Sequence, residues 1–236
     1  MRTFVMTTEV AVDLLYLNAN VSFMKIAVIG AAGNIGQRIV REALDRHHEV
    51  TAIGRHPERL GLRDAELSTA ACDVTAADEL ARVVTGHDAI VCAVGPAHDG
   101  SQPTLLVDAA RAVIEGARRA RVKRLLNVGG AGSLYVAPGL QLVDTPTFPA
   151  AWKGVANAHR DALAIFMAVT DLDWTYVSPA AIIEPGARTG QFRRGGDELL
   201  VDAQGQSKIS SEDYAMAVVD ELEKPRALRR RMTVAY

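Results

Sequence analysis

Gly30, Gly33 and Gly36 stand three residues apart, directly behind the β-branched run Ile26–Ile29 and ahead of Gln37–Leu44. In that last stretch Ile39, Val40 and Leu44 share one side with Ile35, as on an amphipathic helix. A buried strand, a glycine turn and a helix in this order form a cradle for phosphate. Glycine keeps the turn tight and lets the backbone approach a pyrophosphate, and the first helical residues, Asn34, Ile35 and Gly36, turn N–H groups and the positive dipole end toward the anion. The context predicts a dinucleotide site rather than a purely structural turn.

The next strand predicts which dinucleotide. Glu49–Ile53 runs into Gly54-Arg55-His56-Pro57-Glu58-Arg59. A site for NAD places a carboxylate here to hold the ribose 2′-hydroxyl, and that carboxylate would repel a 2′-phosphate. A guanidinium at Arg55 grips such a phosphate with charge-assisted hydrogen bonds, and Arg59 offers a second contact. The expectation is NADP(H) preferred over NAD(H) by roughly 10- to 100-fold, the alternative being that Arg55 is a solvated loop residue.

Two more side chains have types suited to chemistry. His159 reads either as a proton donor, its ordinary pKa near 6.5 suiting the role, or as a surface residue beside Arg160 and Asp161. Lys153, after Trp152, reads either as a contact to the cofactor ribose or phosphate or as a solvated lysine. The remaining histidines show no metal-ligand spacing, and no metal is expected. Cys72 and Cys92 read as buried small side chains.

These residues need elements to carry them. Strands are expected at Leu67–Cys72, Ala89–Val94, Arg124–Val128 and Trp174–Val177, and helices at Ala76–Val84, Thr104–Ala120, Ala151–Ala168 and Glu212–Glu223. Alternation of this kind implies a doubly wound parallel sheet, an α/β Rossmann-type fold with helices on both faces and a small C-terminal lobe on the substrate side. The irregular stretch Gly129–Pro149 follows a strand's carboxyl end, where such sheets bind ligands, and is expected to line the substrate pocket. Arg229-Arg230-Arg231 reads as a solvated turn before the last strand. Ser210 and Asp213 read as a capping pair for the last helix.

With 236 residues the chain suits one such domain, assigned to residues 24–236. Residues 1–23 read as an additional arm or an upstream extension, with an apolar run broken by Asp13. A net charge of −2 gives no case for nucleic acid, and no apolar run approaches the length of a membrane helix. A cytoplasmic protein without membrane partners is expected, with a homodimer left open.

The sequence resembles the atypical short-chain dehydrogenases, in the NAD(P)H-binding group related to flavin reductase and biliverdin-IXβ reductase. The resemblance rests on the glycine fingerprint, Arg55, Asp73-Val74, Ala93-Val94-Gly95, Val128-Gly129-Gly130-Ala131-Gly132-Ser133, Asp173–Pro179 and Val201–Ser210, and it covers residues 24–236. It implies that Asp73 and Val74 sit near the adenine, that Ala93, Val94 and Gly95 pass the ribose, that Pro179 and Ala180 run near the nicotinamide, and that Ser133 is the active-site serine. The alternative reading of Ser133 is a helix or turn cap. Ordinary members use a Tyr-x-x-x-Lys pair, which would fall near Val155 and His159. No tyrosine here has a lysine four residues later. That departure favours hydride transfer to a conjugated small-molecule acceptor, flavin-like or quinone-like, whose π-system delocalises charge, with the proton from water or a histidine. The alternative from another class is an NADP(H)-binding sensor or scaffold without catalysis. An isomerase or epimerase is weaker, because it would need the same tyrosine.

Overall fold

The computed structural model describes residues 23–96 and 104–236. The expectation for residues 1–23 therefore falls almost wholly outside the described residues.

A short buried run leads each α/β unit. Strand β1 (Lys25–Ile29) is followed by helix α1 (Asn34–Asp45), β2 (Glu49–Gly54) and β3 (Leu67–Ala71). Helix α2 (Ala77–Val84) leads to β4 (Ala89–Cys92), and α3 (Leu105–Ala120) to β5 (Arg124–Val128). A hairpin of β6 (Tyr135–Ala137) and β7 (Leu140–Gln141) precedes α4 (Ala150–Met167) and β8 (Asp173–Ser178). The C-terminal part adds β9 (Ile182–Glu184), β10 (Arg193–Gly195), β11 (Lys208–Ser210), α5 (Ser211–Glu223) and β12 (Arg230–Ala235).

Eight strands make one sheet in the order β10-β12-β8-β5-β4-β1-β2-β3. All neighbours are parallel except β10, which runs antiparallel to β12. The doubly wound parallel sheet is thus what strand–helix alternation demanded, since parallel neighbours need crossover helices. Side chains alternate between the two faces with period two. Ile26, Val28, Val50, Val91, Leu126 and Val177 join the core under α1 and α5, while Ala27, Ile29, Ile90, Cys92, Leu125, Trp174 and Tyr176 join the core under α2, α3 and α4. Because both faces are covered, the strands read as unbroken apolar runs.

β1 pairs with β2 on one side and β4 on the other. The chain order reverses there, so the crevice outside the carboxyl ends of β1 and β4 is the place where such sheets hold ligands.

Three local results differ from the sequence reading. Gly129–Pro149 is not irregular throughout: it holds the β6–β7 hairpin and a 3₁₀ turn at Leu142–Asp144. Strands β9 and β11 form a separate parallel pair. The arginine cluster is not a solvated turn, because Arg230 and Arg231 belong to β12 and Arg231 is buried. Among the described residues no helix is long and apolar enough to cross a membrane.

Candidate functional site

The glycine turn has the geometry of a cradle. Gly30 adopts φ +80°, a left-handed conformation that favours glycine, and its N–H donates to the Ile53 carbonyl at 2.8 Å. A Cβ on Gly30 would stand 2.7 Å from the Ala93 carbonyl oxygen, so the ends of β1 and β4 meet with no room for a side chain. Gly33 is the N-cap of α1, and no side chain caps that helix. The first-turn N–H groups of Asn34, Ile35 and Gly36 therefore remain for a ligand. The first turn carries no acidic residue that would repel an anion. A diphosphate fits this open, uncapped turn by shape and by sign of charge.

Arg55 and Arg59 lie past the end of β2, both exposed. Asp73 lies past the end of β3, and the Cys72 N–H holds the two strand ends together by donating to the Gly54 carbonyl at 3.1 Å. The Asp73 carboxylate accepts from the Thr75 backbone N–H at 2.9 Å and from its hydroxyl at 2.8 Å, which holds its pKa below the ordinary carboxylate value, with Arg55 adding a smaller pull in the same direction. Arg55 and Asp73 thus share one rim of the crevice. Val94 and Gly95 continue from β4 on the opposite side, half-buried and exposed. Pro179 and Ala180 follow β8 and are buried.

Beyond β5, one glycine clears space for a β8 side chain and two clear space for α4. A Cβ on Gly129 would meet the Tyr176 ring at 2.2 Å, one on Gly130 the His159 ring at 2.9 Å, and one on Gly132 the Ala156 Cβ at 2.6 Å. This half of α4 therefore sits directly against the strand end. Phe166 anchors the other half, with its ring 5.8 Å from Trp174 and 5.7 Å from Tyr176.

His159 faces this packing. The Tyr176 hydroxyl donates to the His159 carbonyl at 2.8 Å, so the 3.3 Å contact with His159 Nδ1 assigns the ring proton to Nδ1. Burial pushes the imidazole pKa down to about 4. The ring is neutral at pH 7, which removes the cationic proton donor expected from its ordinary pKa.

Ser133 is 2% exposed, and its hydroxyl accepts from Arg231 Nη1 at 3.0 Å. Arg231 also donates to the Ser133 carbonyl at 2.9 Å and, through Nε, to Asp197 at 2.8 Å. Ser133 lines a cleft of about 390 Å³ together with Arg160, Met167, Trp174 and Arg229–Arg231. No glycine-loop residue lines that cleft, so the structure does not bring Ser133 together with Gly30–Gly36 there. Lys153 is exposed in the first turn of α4, beside Trp152. Sequence reasoning missed Tyr176 and the clearance glycines, whose signal, the run Gly129-Gly130-Ala131-Gly132, was legible only as a loop.

Residues 30–225 match the sequence profile of the family described as NAD(P)H-binding. The chain belongs to that family. Its cofactor is a nicotinamide dinucleotide. The uncharacterized Bacillus subtilis protein YwnB is 42% identical over 215 residues, spanning 89% of this chain and 98% of its own. Among solved structures, a Bacteroides thetaiotaomicron protein provisionally named an epimerase superposes with TM-score 0.84 at 40% identity, covering 91% of this chain and 98% of that one. A Streptococcus pneumoniae protein provisionally named an NADH-flavin reductase superposes with TM-score 0.78 at 36% identity, covering 90% and 99%.

Proposed function

We propose that this NAD(P)H-binding protein is an NADPH-dependent reductase of a conjugated small-molecule acceptor, of flavin or quinone type. The observation that carries the reading is the composition of the wall beyond β5. Where the resemblance would put a tyrosine and a lysine, near Val155 and His159, this chain has an aliphatic side chain, flanked by Ala156, and a neutral imidazole. None of these protonates an alkoxide at pH 7. An acceptor that spreads the incoming charge over a π-system has no need of such a donor.

Each residue then has a task. The N–H groups of Asn34, Ile35 and Gly36 hold the diphosphate, Arg55 and Arg59 take the 2′-phosphate, and Asp73 and Val74 border the adenine. Ala93, Val94 and Gly95 flank the ribose, with Lys153 reaching toward it. Pro179 and Ala180 give the nicotinamide a rigid floor, which orients its reactive face. Bound there, NADPH supplies a hydride. Ser133 ties the loop after β5 to Arg231, and that fixes the acceptor-side wall. The likeness to the Streptococcus pneumoniae protein supports this reading.

The same missing donor also supports a second reading, a non-catalytic NADP(H) sensor. An epimerase is less well supported, since it would need the absent tyrosine. Oxidation of NADPH followed with riboflavin, FMN, a quinone and simple ketones separates these. Turnover with the conjugated acceptors alone is expected. Ketones reduced while flavins and quinones stay untouched would overturn the mechanism, and tight NADPH binding with no turnover would favour the sensor.

A further inference from the structure

Trp152, Ala156, His159, Leu163 and Phe166 recur along α4 at steps of four, three, four and three residues. At roughly 100° per residue, all five fall within about 40° of one line on the helix. This is the inward stripe of α4. Phe166 is fully buried against Trp174 and Tyr176, Leu163 is 7% exposed, His159 covers Gly130 and Ala156 covers Gly132. Trp152 continues the same line, yet it is 61% exposed.

The reason is where the sheet stops. β5 ends at Val128, and Gly130 is already past that end when it meets His159. Trp152 lies seven residues further toward the start of α4, about 10 Å along the axis. Its indole therefore overhangs the carboxyl end of the sheet, on the side where the cofactor crevice opens. Tryptophan is rarely left so bare in a core-facing register. The turn around it is open as well, because Pro149 is the N-cap of α4 and no side chain caps the helix.

We propose that Trp152 is the stacking platform for the acceptor ring, and so a specificity-determining residue that selects flat conjugated acceptors. This rests on the reductase reading above. A planar ring system laid on the indole gains the stacking and apolar contact that the sheet cannot supply at this height. A saturated ketone has no face to offer, which matches the absence of a donor to reduce it.

The test uses riboflavin as the probe and NADP⁺-saturated protein, with riboflavin binding read by fluorescence anisotropy. Trp152→Ala should weaken riboflavin about tenfold and Trp152→Phe by no more than about threefold, while NADP⁺ affinity stays at the wild-type value. Since Trp152 is largely exposed, both variants should melt like wild type. Equal riboflavin affinity in wild type and Trp152→Ala would overturn the proposal, as would no riboflavin binding by wild type. A change of oligomeric state in Trp152→Ala with riboflavin affinity unmoved would assign the ring to contact between copies instead, and would also overturn it. If wild type fails to bind NADP⁺ at all, the reductase reading itself fails. If it binds NADP⁺ tightly but riboflavin ignores Trp152, only this inference fails.

Discussion

A Cβ placed on Gly36 would stand 2.2 Å from the carbonyl oxygen of Gly30, with the Ala31 Cα at 2.9 Å. The first turn of α1 is pressed against the last residue of the turn's entry, backbone to backbone. No flexible side chain is there to move aside, so even alanine must push the helix away from the strand. Gly36→Ala should cost about 1–3 kcal/mol of stability. It should also weaken NADPH by 100-fold or more, because the N–H groups lose their common focus. Gly33 is looser, its added Cβ meeting the Gly30 oxygen at 3.2 Å, so Gly33→Ala should be the milder variant. Isothermal titration with NADPH, paired with thermal melts, checks both the loss and the ranking.

Arg55 is exposed at the end of β2, with no carboxylate at Gly54 to hold a free 2′-hydroxyl. Arg55→Ala should lower NADPH affinity roughly 10- to 100-fold and leave NADH within about twofold. Arg55→Asp should reverse the preference. Although Arg55 also helps hold Asp73 ionised, the variant should not disturb the Asp73–Thr75 turn, which the two stronger Thr75 donors maintain. Equal wild-type affinities for the two cofactors would refute the assignment of Arg55.

The strand, the glycine turn and α1 were legible because they are local. Each depends on residues within one strand–turn–helix unit, where an unbroken apolar run gives way across the glycines to a period of about 3.6. The Ser210 cap was legible for the same reason, and the Asp213 N–H does donate to the Ser210 hydroxyl at 3.0 Å. What stayed hidden depends on distant chain. Arg231 finds Ser133 from 98 residues away, so nothing near Arg229–Arg231 signals a buried strand arginine. Gly129, Gly130 and Gly132 read as part of an irregular pocket-lining stretch, and they are clearance for Tyr176, His159 and Ala156. His159 looked titratable because sequence carries no measure of burial.

Asp213 was read as half of a capping pair, and its carboxylate does more. It accepts from the backbone N–H groups of Thr189 and Gly190 at 2.8 Å each, from the Thr189 hydroxyl at 2.5 Å and from the Tyr236 hydroxyl at 2.9 Å. Burial alone would raise its pKa, but these donors outweigh burial and hold it below the ordinary carboxylate value. A lowered folded pKa means that the contribution is present above the unfolded value near 3.9 and is lost as pH falls through the folded one. Asp213→Ala leaves two part-buried backbone donors without their acceptor and should cost about 1–2 kcal/mol. Asp213→Asn should recover part of that at pH 7 and remove the site's share of acid sensitivity below pH 4. Denaturant melts from pH 3 to 7 decide it: parallel curves for wild type and Asp213→Asn would rule the carboxylate out as the acid-sensitive group.

His159 makes the opposite kind of pH statement. Its folded pKa of about 4 lies below the unfolded value near 6.5, so between those values the unfolded chain binds a proton that the folded chain does not. Stability is therefore full above pH 6.5 and falls as pH drops toward 4, by about 3 kcal/mol at most from this ring. His159→Gln should flatten that part of the pH–stability curve, because glutamine has no proton to take up. The kinetic counterpart is equally definite. A ring that is neutral throughout the working range contributes no break to the pH–rate profile between 5.5 and 7.5. If wild type shows such a break and His159→Gln abolishes it, the imidazole titrates in the working enzyme after all. It would then be available as an acid, and the reading of a donor-free wall beyond β5 would fall with that result.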